Sequence, residues 1–161
     1  MLDQVLFVLI FVAAIGTSLV SGIFFAFSSF VMAALGRLPA PHGVAAMQSI
    51  NVTVLNPGFF LAFFGTGLVC LVLAAGSFAW WDQANGKLVL IASLLYIVGC
   101  IGVTMVCNVP LNNALAAVRA NTPDEAALWS RYLDRWTKWN HVRTVAPILS
   151  AILFTAALIV R

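Results

Sequence analysis

The sequence predicts an all-α integral membrane protein, a four-helix bundle with short interfacial helices at its cytoplasmic end. Hydrophobic residues make up 63% of the chain and charged residues only 8%, whereas about a quarter of a soluble domain is charged. Four apolar segments approach or exceed the ~20 residues that cross a bilayer as a helix. The charged residues fall mainly between these segments. We therefore expect a single membrane domain over residues 1–161, with spans at about 5–35, 54–79, 87–107 and 142–160.

The first two spans are separated by a proline-containing connection. Residues 5–35 are more than a straight span needs, so this helix should tilt or project beyond the membrane until Arg37 and Pro39 end it. Residues 44–51 predict a short interfacial helix. The second span opens at Asn56-Pro57, because proline suits the first turn of a helix.

The second half of the chain has a longer polar connection. The third span is predicted to break at Asn108-Val-Pro110 and to be followed by a separate helix over residues 111–119. Thr122, ahead of a proline and two acidic residues, is a good N-cap. The helix that it opens should run into the fourth span and kink at Pro147.

The cations indicate how the chain is oriented. Those after the first and third spans are Arg37, Arg119, Arg131, Arg135, Lys138 and Arg143, and only Lys87 and Arg161 lie on the other side. Because cations favour the cytoplasmic side, both termini should lie outside. The predicted location is the membrane, as a multi-pass protein, and the inner membrane if the chain is bacterial.

Several function classes are disfavoured. No basic stripe of the kind that binds nucleic acid occurs, and no nucleotide-binding loop, paired carboxylates or hydrolase motif is present. The spans contain no acidic residue, which argues against a proton-coupled transporter. The three cysteines have no metal-binding spacing. Expected partners are membrane lipid, a lipophilic small molecule and a second copy of the chain. Small residues on the spans, such as Gly16, Gly22 and Gly99, should permit close contact between the helices of the bundle.

Polar side chains from three regions should meet at the cytoplasmic end of the bundle. The candidates for substrate binding are Asn51, Asn56, Asn108, Asn112, Asn140, Trp136 and Trp139, and the candidates for catalysis are His141 and Arg143. Each polar group needs a partner, because membrane interiors hold no bulk water. The sequence therefore predicts a polar pocket open to the inner leaflet.

Each candidate also has a purely structural interpretation. His141 is the one strong base, or it is hydrogen-bonded at the interface. Arg143 is suited to hold an anionic oxygen, or it reaches phosphate head groups or pairs with Asp134. Trp129, Trp136 and Trp139 read more readily as interfacial belt residues than as stacking rings, and the asparagines as links between helices.

The direction of two side chains is decided by helix rotation. Asn140, Arg143 and Thr144 share a helix face with Trp136, because residues three and four apart are neighbours. His141 stands about 100° round the helix from Asn140. Whether His141 points inward depends on a rotation that the sequence does not fix.

The chain resembles the anthrone oxygenase-like family of small integral membrane proteins (DUF1772). The resemblance rests on Ser28-Ser-Phe-Val-Met-Ala-Ala-Leu35, Leu38-Pro39, Ala46-Met-Gln-Ser-Ile-Asn51, Asn108-Val-Pro-Leu-Asn112 and Trp136-Thr-Lys-Trp-Asn-His-Val-Arg-Thr144. It covers nearly the whole chain and implies four membrane helices. Fungal members of the family oxidise anthrones to anthraquinones with O₂, so the resemblance also implies an oxygenase, without identifying the substrate.

Two functions follow as hypotheses. The first is a cofactor-independent oxygenase of lipophilic aromatic substrates, anthrone-like or quinol-like, in which His141 is the base and Arg143, Asn108 and Asn112 hold the oxyanion. The second is a non-enzymatic membrane module that binds lipid or a small hydrophobic ligand, or an assembly subunit. No cofactor is predicted, and a copper or haem site built on His141 with Met47 or Met105 is a third alternative.

Overall fold

The structure is a computed structural model that describes residues 2–81, 84–118 and 125–160. Within these ranges the chain forms five helices: α1 (2–36), α2 (Ala40–Thr53), α3 (57–80), α4 (84–116) and α5 (Glu125–Ile159). Four stretches are long and apolar enough to cross a membrane, namely Gln4–Gly36, Pro57–Ala79, Asn85–Ala116 and Glu125–Ile159. The predicted fold class, an all-α membrane bundle, is confirmed.

Helix α2 is the predicted interfacial helix, and it is longer than the sequence indicated. It begins at Ala40 because Pro41 fits the first helical turn, where a missing N–H costs nothing. Asn56 then starts α3 as an N-cap, since its side-chain Oδ1 accepts the backbone N–H of Phe59 at 3.0 Å. The loop between α2 and α3 is therefore short: it covers residues 54–56 and ends at this cap.

Helix α4 runs unbroken through Asn108-Val-Pro110, so the predicted break is wrong. Two stretches with i→i+5 hydrogen bonding, Ile97–Gly102 and Thr104–Asn108, precede the proline. The ordinary helical pattern resumes at Val109. Pro110 thus occupies the first turn of a new α-helical segment, a position that tolerates the missing N–H.

Helix α5 is a single helix from the connection into the membrane, as predicted, and it contains Pro147. It packs along both α1 and α4. The predicted N-cap Thr122, two of the cations used for orientation (Arg119 and Arg161) and residues 82–83 lie outside the described residues.

Small residues allow the spans to approach closely at two of the predicted positions. A Cβ placed on Gly99 of α4 would come within 2.5 Å of Ala146 Cβ on α5. A Cβ on Gly16 of α1 would overlap the side chain of Thr66 on α3. Gly22 has open space instead, so its predicted role in packing is wrong.

The bundle has two apolar clusters. One fills the interior of the spans, around Val20, Phe63 and Tyr96. The other lies between α2, the ends of α1 and α4 and the first half of α5, around Met47 and Trp129. We call this end of the molecule, which carries Arg37, Arg131, Arg135 and Lys138, the basic end. Buried and partly buried polar side chains lie between the two clusters. We call them the polar layer: Ser28, Thr104, Asn108, Asn140, Arg143 and Thr144.

Candidate functional site

The polar layer coincides with irregular helical turns. Hydrogen bonding of the i→i+5 type occurs at Phe27–Val31, Leu61–Gly65, Ile97–Gly102 and Thr104–Asn108. Such turns are rare, and they are frequent at functional sites. Those of α1 and α4 contain Ser28, Thr104 and Asn108, which all face α5 through hydrogen bonds to its residues.

Asn140 is the centre of the polar layer. Its side chain is fully buried, and its Nδ2 donates to the Phe24 carbonyl at 2.8 Å and to Ser28 Oγ at 2.7 Å. The carbonyl is an acceptor only, which fixes the amide orientation and turns Oδ1 towards Arg143, whose Nε donates to it at 2.9 Å. Asn140 therefore joins α1 to α5 and orients the guanidinium.

The Arg143 guanidinium lies between two aromatic rings. Its central carbon is 4.1 Å from the centroid of the Phe24 ring and 4.6 Å from that of Trp136. Both contacts are of the cation–π type, which gains strength when desolvated, and the residue is only 5% exposed. Nη1 makes one long hydrogen bond, 3.5 Å, to Thr104 Oγ1.

No carboxylate compensates this buried charge among the described residues. Asp134, the predicted alternative partner, lies more than two turns earlier on α5 and forms an ion pair with Lys138 at 2.8 Å. The sequence has no acidic residue between Asp3 and Asp82 or between Asp82 and Asp124. A buried charge without a partner is costly, so the burial of the Arg143 guanidinium lowers the stability of the fold.

Asn112 is held with its amide group towards the same region. Its Oδ1 accepts the Trp136 indole N–H and the Tyr132 hydroxyl, both at 2.8 Å. The indole is a donor only, so Oδ1 has to face it. The Nδ2 group makes no hydrogen bond within the described part of the chain, and it remains a donor for a ligand.

Arg143 and Asn112 line a small cavity of about 110 Å³. Its walls are otherwise mostly apolar or aromatic: Ile23, Phe24, Phe27, Met47, Ile50, Val54, Leu55, Phe59, Val109 and Trp136, with Asn51 and Thr104. A second depression of about 420 Å³ adjoins it between α2 and the end of α4. The two share Asn51, Leu55, Val109 and Asn112 as lining residues, so the depression is a natural way in from the basic end.

The predicted site residues are brought together only in part. Arg143, Asn51, Asn112 and Trp136 line the cavity. Asn108 is buried beside it and donates to the Trp136 carbonyl at 3.2 Å, while its Oδ1 is buried and has no hydrogen-bond partner among the described residues. Asn140 is buried and holds Arg143.

Three predicted residues lie elsewhere. Asn56 is exposed and serves as the N-cap of α3. Trp139 is 42% exposed on the outer face of α5. His141 is also exposed, and it lines a different depression, between α1 and α5, with Arg37 and Asp134. Met47 belongs to the cavity of Arg143, so His141 and Met47 line different spaces.

The interfacial-belt interpretation is wrong for two of the three tryptophans. Trp129 and Trp136 are 4% and 2% exposed, and with Tyr132 between them they form a stack whose successive ring centroids are 5.7 and 6.1 Å apart. Three further residues, Phe24, Thr104 and Tyr132, also neighbour the site, and the sequence did not single them out. Its spacing along α5 could have identified Tyr132, because it lies three residues after Trp129 and four before Trp136 and so shares their helix face.

The comparison with protein families bears on these residues directly. A family model described as anthrone oxygenase matches residues 59–153, more than half of the chain. The chain belongs to the anthrone oxygenase family. Comparison with curated proteins and with solved structures finds no match.

The anthrone oxygenase match contains most of the candidate site. Asn108, Asn112, Trp136, Asn140 and Arg143 fall within it, as do the peripheral Trp139 and His141. Asn51 and Asn56 precede it. Among the described residues no group of three or more His, Cys, Asp or Glu side chains is placed to hold a metal ion. The arrangement is one of hydrogen-bond donors around a buried cation, suited to an anionic oxygen.

Proposed function

We propose that this protein is a membrane oxygenase that converts a lipophilic aromatic substrate of the anthrone type without a bound cofactor. In such a substrate a methylene group between two rings lies opposite a carbonyl group. The proposal rests chiefly on Arg143, a buried cation with no carboxylate partner in the described chain that opens onto a cavity. Family membership supports the same reaction class.

The proposed chemistry begins with an enolate. Loss of one proton from the methylene group leaves a negative charge shared between that carbon and the carbonyl oxygen. Arg143 and the Asn112 amide would hold this oxygen, and donors oriented in advance within a water-poor site stabilise such a charge strongly. The electron-rich carbon then passes an electron to O₂, and the two radicals combine into a peroxide anion, which takes up one proton in place of the one lost from the methylene group. Loss of water from the peroxide gives the second carbonyl group, so that CH₂ and O₂ become C=O and H₂O.

The shape of the site suggests how the substrate lies. A cavity of about 110 Å³ is smaller than the roughly 300–1,000 Å³ of most ligand pockets. We propose that only the oxygen-bearing edge of the substrate enters it. The rings then occupy the adjoining depression of about 420 Å³, with the α2–α3 loop at Leu55 giving way.

The proton has no acceptor among the described residues that line these two spaces, since none is His, Asp or Glu. We propose that it passes to water in the depression, and that the guanidinium makes this transfer feasible by stabilising the enolate. The sequence-based role of His141 as the base stays a prediction. From its position it would need a chain of water molecules to reach the cavity.

The experiment measures O₂ consumption by the purified protein in proteoliposomes with anthrone. Arg143→Met should lower kcat/KM by about 10²–10³-fold, as removal of an oxyanion donor does. Arg143→Lys should be intermediate, because it keeps the charge and loses the planar fork. Arg135→Met, on the exposed side of the same helix, is the matched control. Turnover of Arg143→Met within threefold of the wild type would contradict the proposal.

His141→Ala separates the two versions of the mechanism. Unchanged turnover is expected if water accepts the proton. A loss as large as that of Arg143→Met would instead assign the base as the sequence predicted.

One observation favours the second candidate, a non-enzymatic membrane module. Much of the polar layer is satisfied internally, since Asn140 uses both ends of its amide within the bundle. On that view the wild type consumes no O₂ with anthrone, and substitutions at Asn140 or Arg143 change only the stability of the protein in detergent.

A further inference from the structure

We propose that the cavity at Arg143 is an anion site in its own right, and that in the resting protein it holds a small, singly charged, weakly hydrated anion. The proposal deepens the proposed function, because the same cavity would later receive the substrate oxygen. It concerns the protein without substrate, however, and it can be tested without turnover.

The positive charge of Arg143 is not balanced by the described residues around it. Arg143 is 5% exposed, and the described acidic side chains on its own helix, Asp134 and Glu125, lie more than two and about five turns away. The elements packed around the guanidinium contribute Phe24, Trp136, Asn140 and Thr104, all uncharged. A mobile anion would supply the countercharge that the described residues do not.

Arg143 and Asn112 each offer free N–H donors to the cavity. The Nε group is committed to Asn140 and one Nη1 proton to Thr104, while Nη2 has no hydrogen-bond partner in the described part of the chain. The Nδ2 group of Asn112 is likewise free, because its Oδ1 is held by Trp136 and Tyr132. Arginine and amide N–H groups that converge on one space are suited to an anion.

The walls of the cavity favour weakly hydrated anions over strongly hydrated ones. The cavity is small, about 110 Å³, and most of its other walls are apolar, including Phe27, Met47, Ile50 and Phe59. These walls cannot replace the tightly held water of a strongly hydrated ion such as sulfate. A polarisable ion such as iodide or thiocyanate loses less on entry. The aromatic ring of Trp136, 4.6 Å from the guanidinium, places a fluorescent reporter beside the bound ion.

The experiment uses this reporter. Sodium iodide is titrated into the purified protein in uncharged detergent, with sodium gluconate keeping the ionic strength constant. Wild type should show a saturable quenching component in the millimolar range, added to the linear collisional quenching of exposed tryptophans such as Trp139. Arg143→Met should show the linear component alone, and Arg135→Met should behave as wild type. Equal, purely linear quenching in wild type and Arg143→Met would overturn the proposal.

A second variant guards against a folding defect in Arg143→Met. Asn112→Asp retains an oxygen acceptor for Trp136 and Tyr132 and adds a built-in countercharge at the same cavity. It should lose the saturable component while keeping the tryptophan emission maximum of the wild type. Saturable quenching that persists in this variant would also overturn the proposal.

The failure of this proposal can be told apart from failure of the proposed function. If iodide binds saturably and wild type turns over anthrone, iodide should inhibit competitively over the same concentration range. Saturable binding without any O₂ consumption would leave the anion site standing and refute the oxygenase. Turnover that depends on Arg143, without saturable iodide binding, would refute the anion site and leave the oxygenase standing.

Discussion

Replacing Asn140 by alanine tests whether the polar layer holds the bundle together. The wild-type side chain makes two hydrogen bonds to α1, at the Phe24 carbonyl and Ser28 Oγ, and accepts one from Arg143. A neutral bond between membrane helices contributes about 0.6 kcal/mol on average, and one to a charged group about 1.5–3 kcal/mol. Asn140→Ala should therefore lower the free energy of unfolding by about 3–4 kcal/mol.

The assay is equilibrium unfolding in mixed micelles, with dodecyl sulfate added stepwise and helix content followed by circular dichroism. The matched control is Asn113→Ala, because Asn113 is exposed and its side chain makes no hydrogen bond within the described residues. The control should change stability by less than about 0.5 kcal/mol. If Asn140→Ala unfolds within 0.5 kcal/mol of that control, the polar layer does not hold α1 and α5 together as argued.

Two further predictions use matched pairs of residues in the same assay. Gly16→Ala should cost about 1–3 kcal/mol, because its Cβ would overlap Thr66, whereas Gly22→Ala, with open space around it, should be neutral or slightly stabilising; equal effects would show that α1 and α3 are not in close contact. Trp136→Phe keeps a ring beside Arg143 but removes the donor to Asn112, so stability should fall by about 1 kcal/mol. Trp139→Phe, at a 42% exposed position, should leave stability unchanged, and a larger loss there than at Trp136 would reverse the assignment of inner and outer faces on α5.

The architecture could be predicted from the sequence because hydrophobicity and length decide it. The thickness of the bilayer sets the length of the spans, and charged residues and prolines mark the connections between them. The N-cap at Asn56 follows from the same local rules. The break expected at Asn108-Val-Pro110 failed because the cost of a proline depends on the turn before it, and nothing in the residue order reveals an i→i+5 turn there.

Only part of the site could be predicted, because the sequence does not fix how α5 is rotated about its own axis. The buried face of α5 carries the polar Asn140 and Arg143 beside its aromatic rings, so polarity alone does not mark which face is inside. Burial of Trp129, Tyr132, Trp136, Asn140 and Arg143 at spacings of three and four turns His141 outward. That choice is made by packing against α1 and α4, through contacts between residues far apart in the chain. Residue type singled out Arg143 and His141 equally, and only the tertiary structure distinguishes them.

The i→i+5 turns of α4 decide where along this helix the site is sensitive to chain length. Each such turn accommodates about one residue more than an α-turn, and α4 has two of them, the second ending at Asn108. Loss of one residue within these turns would be absorbed as the helix returned to regular winding, whereas loss of Pro110 or Leu111, in the regular helix beyond them, would rotate everything after it by about 100°. Asn112 would then leave the cavity while every side chain in it stayed the same. In this bundle the chemistry of the cavity depends on helical phase, which a one-residue deletion alters and a substitution does not.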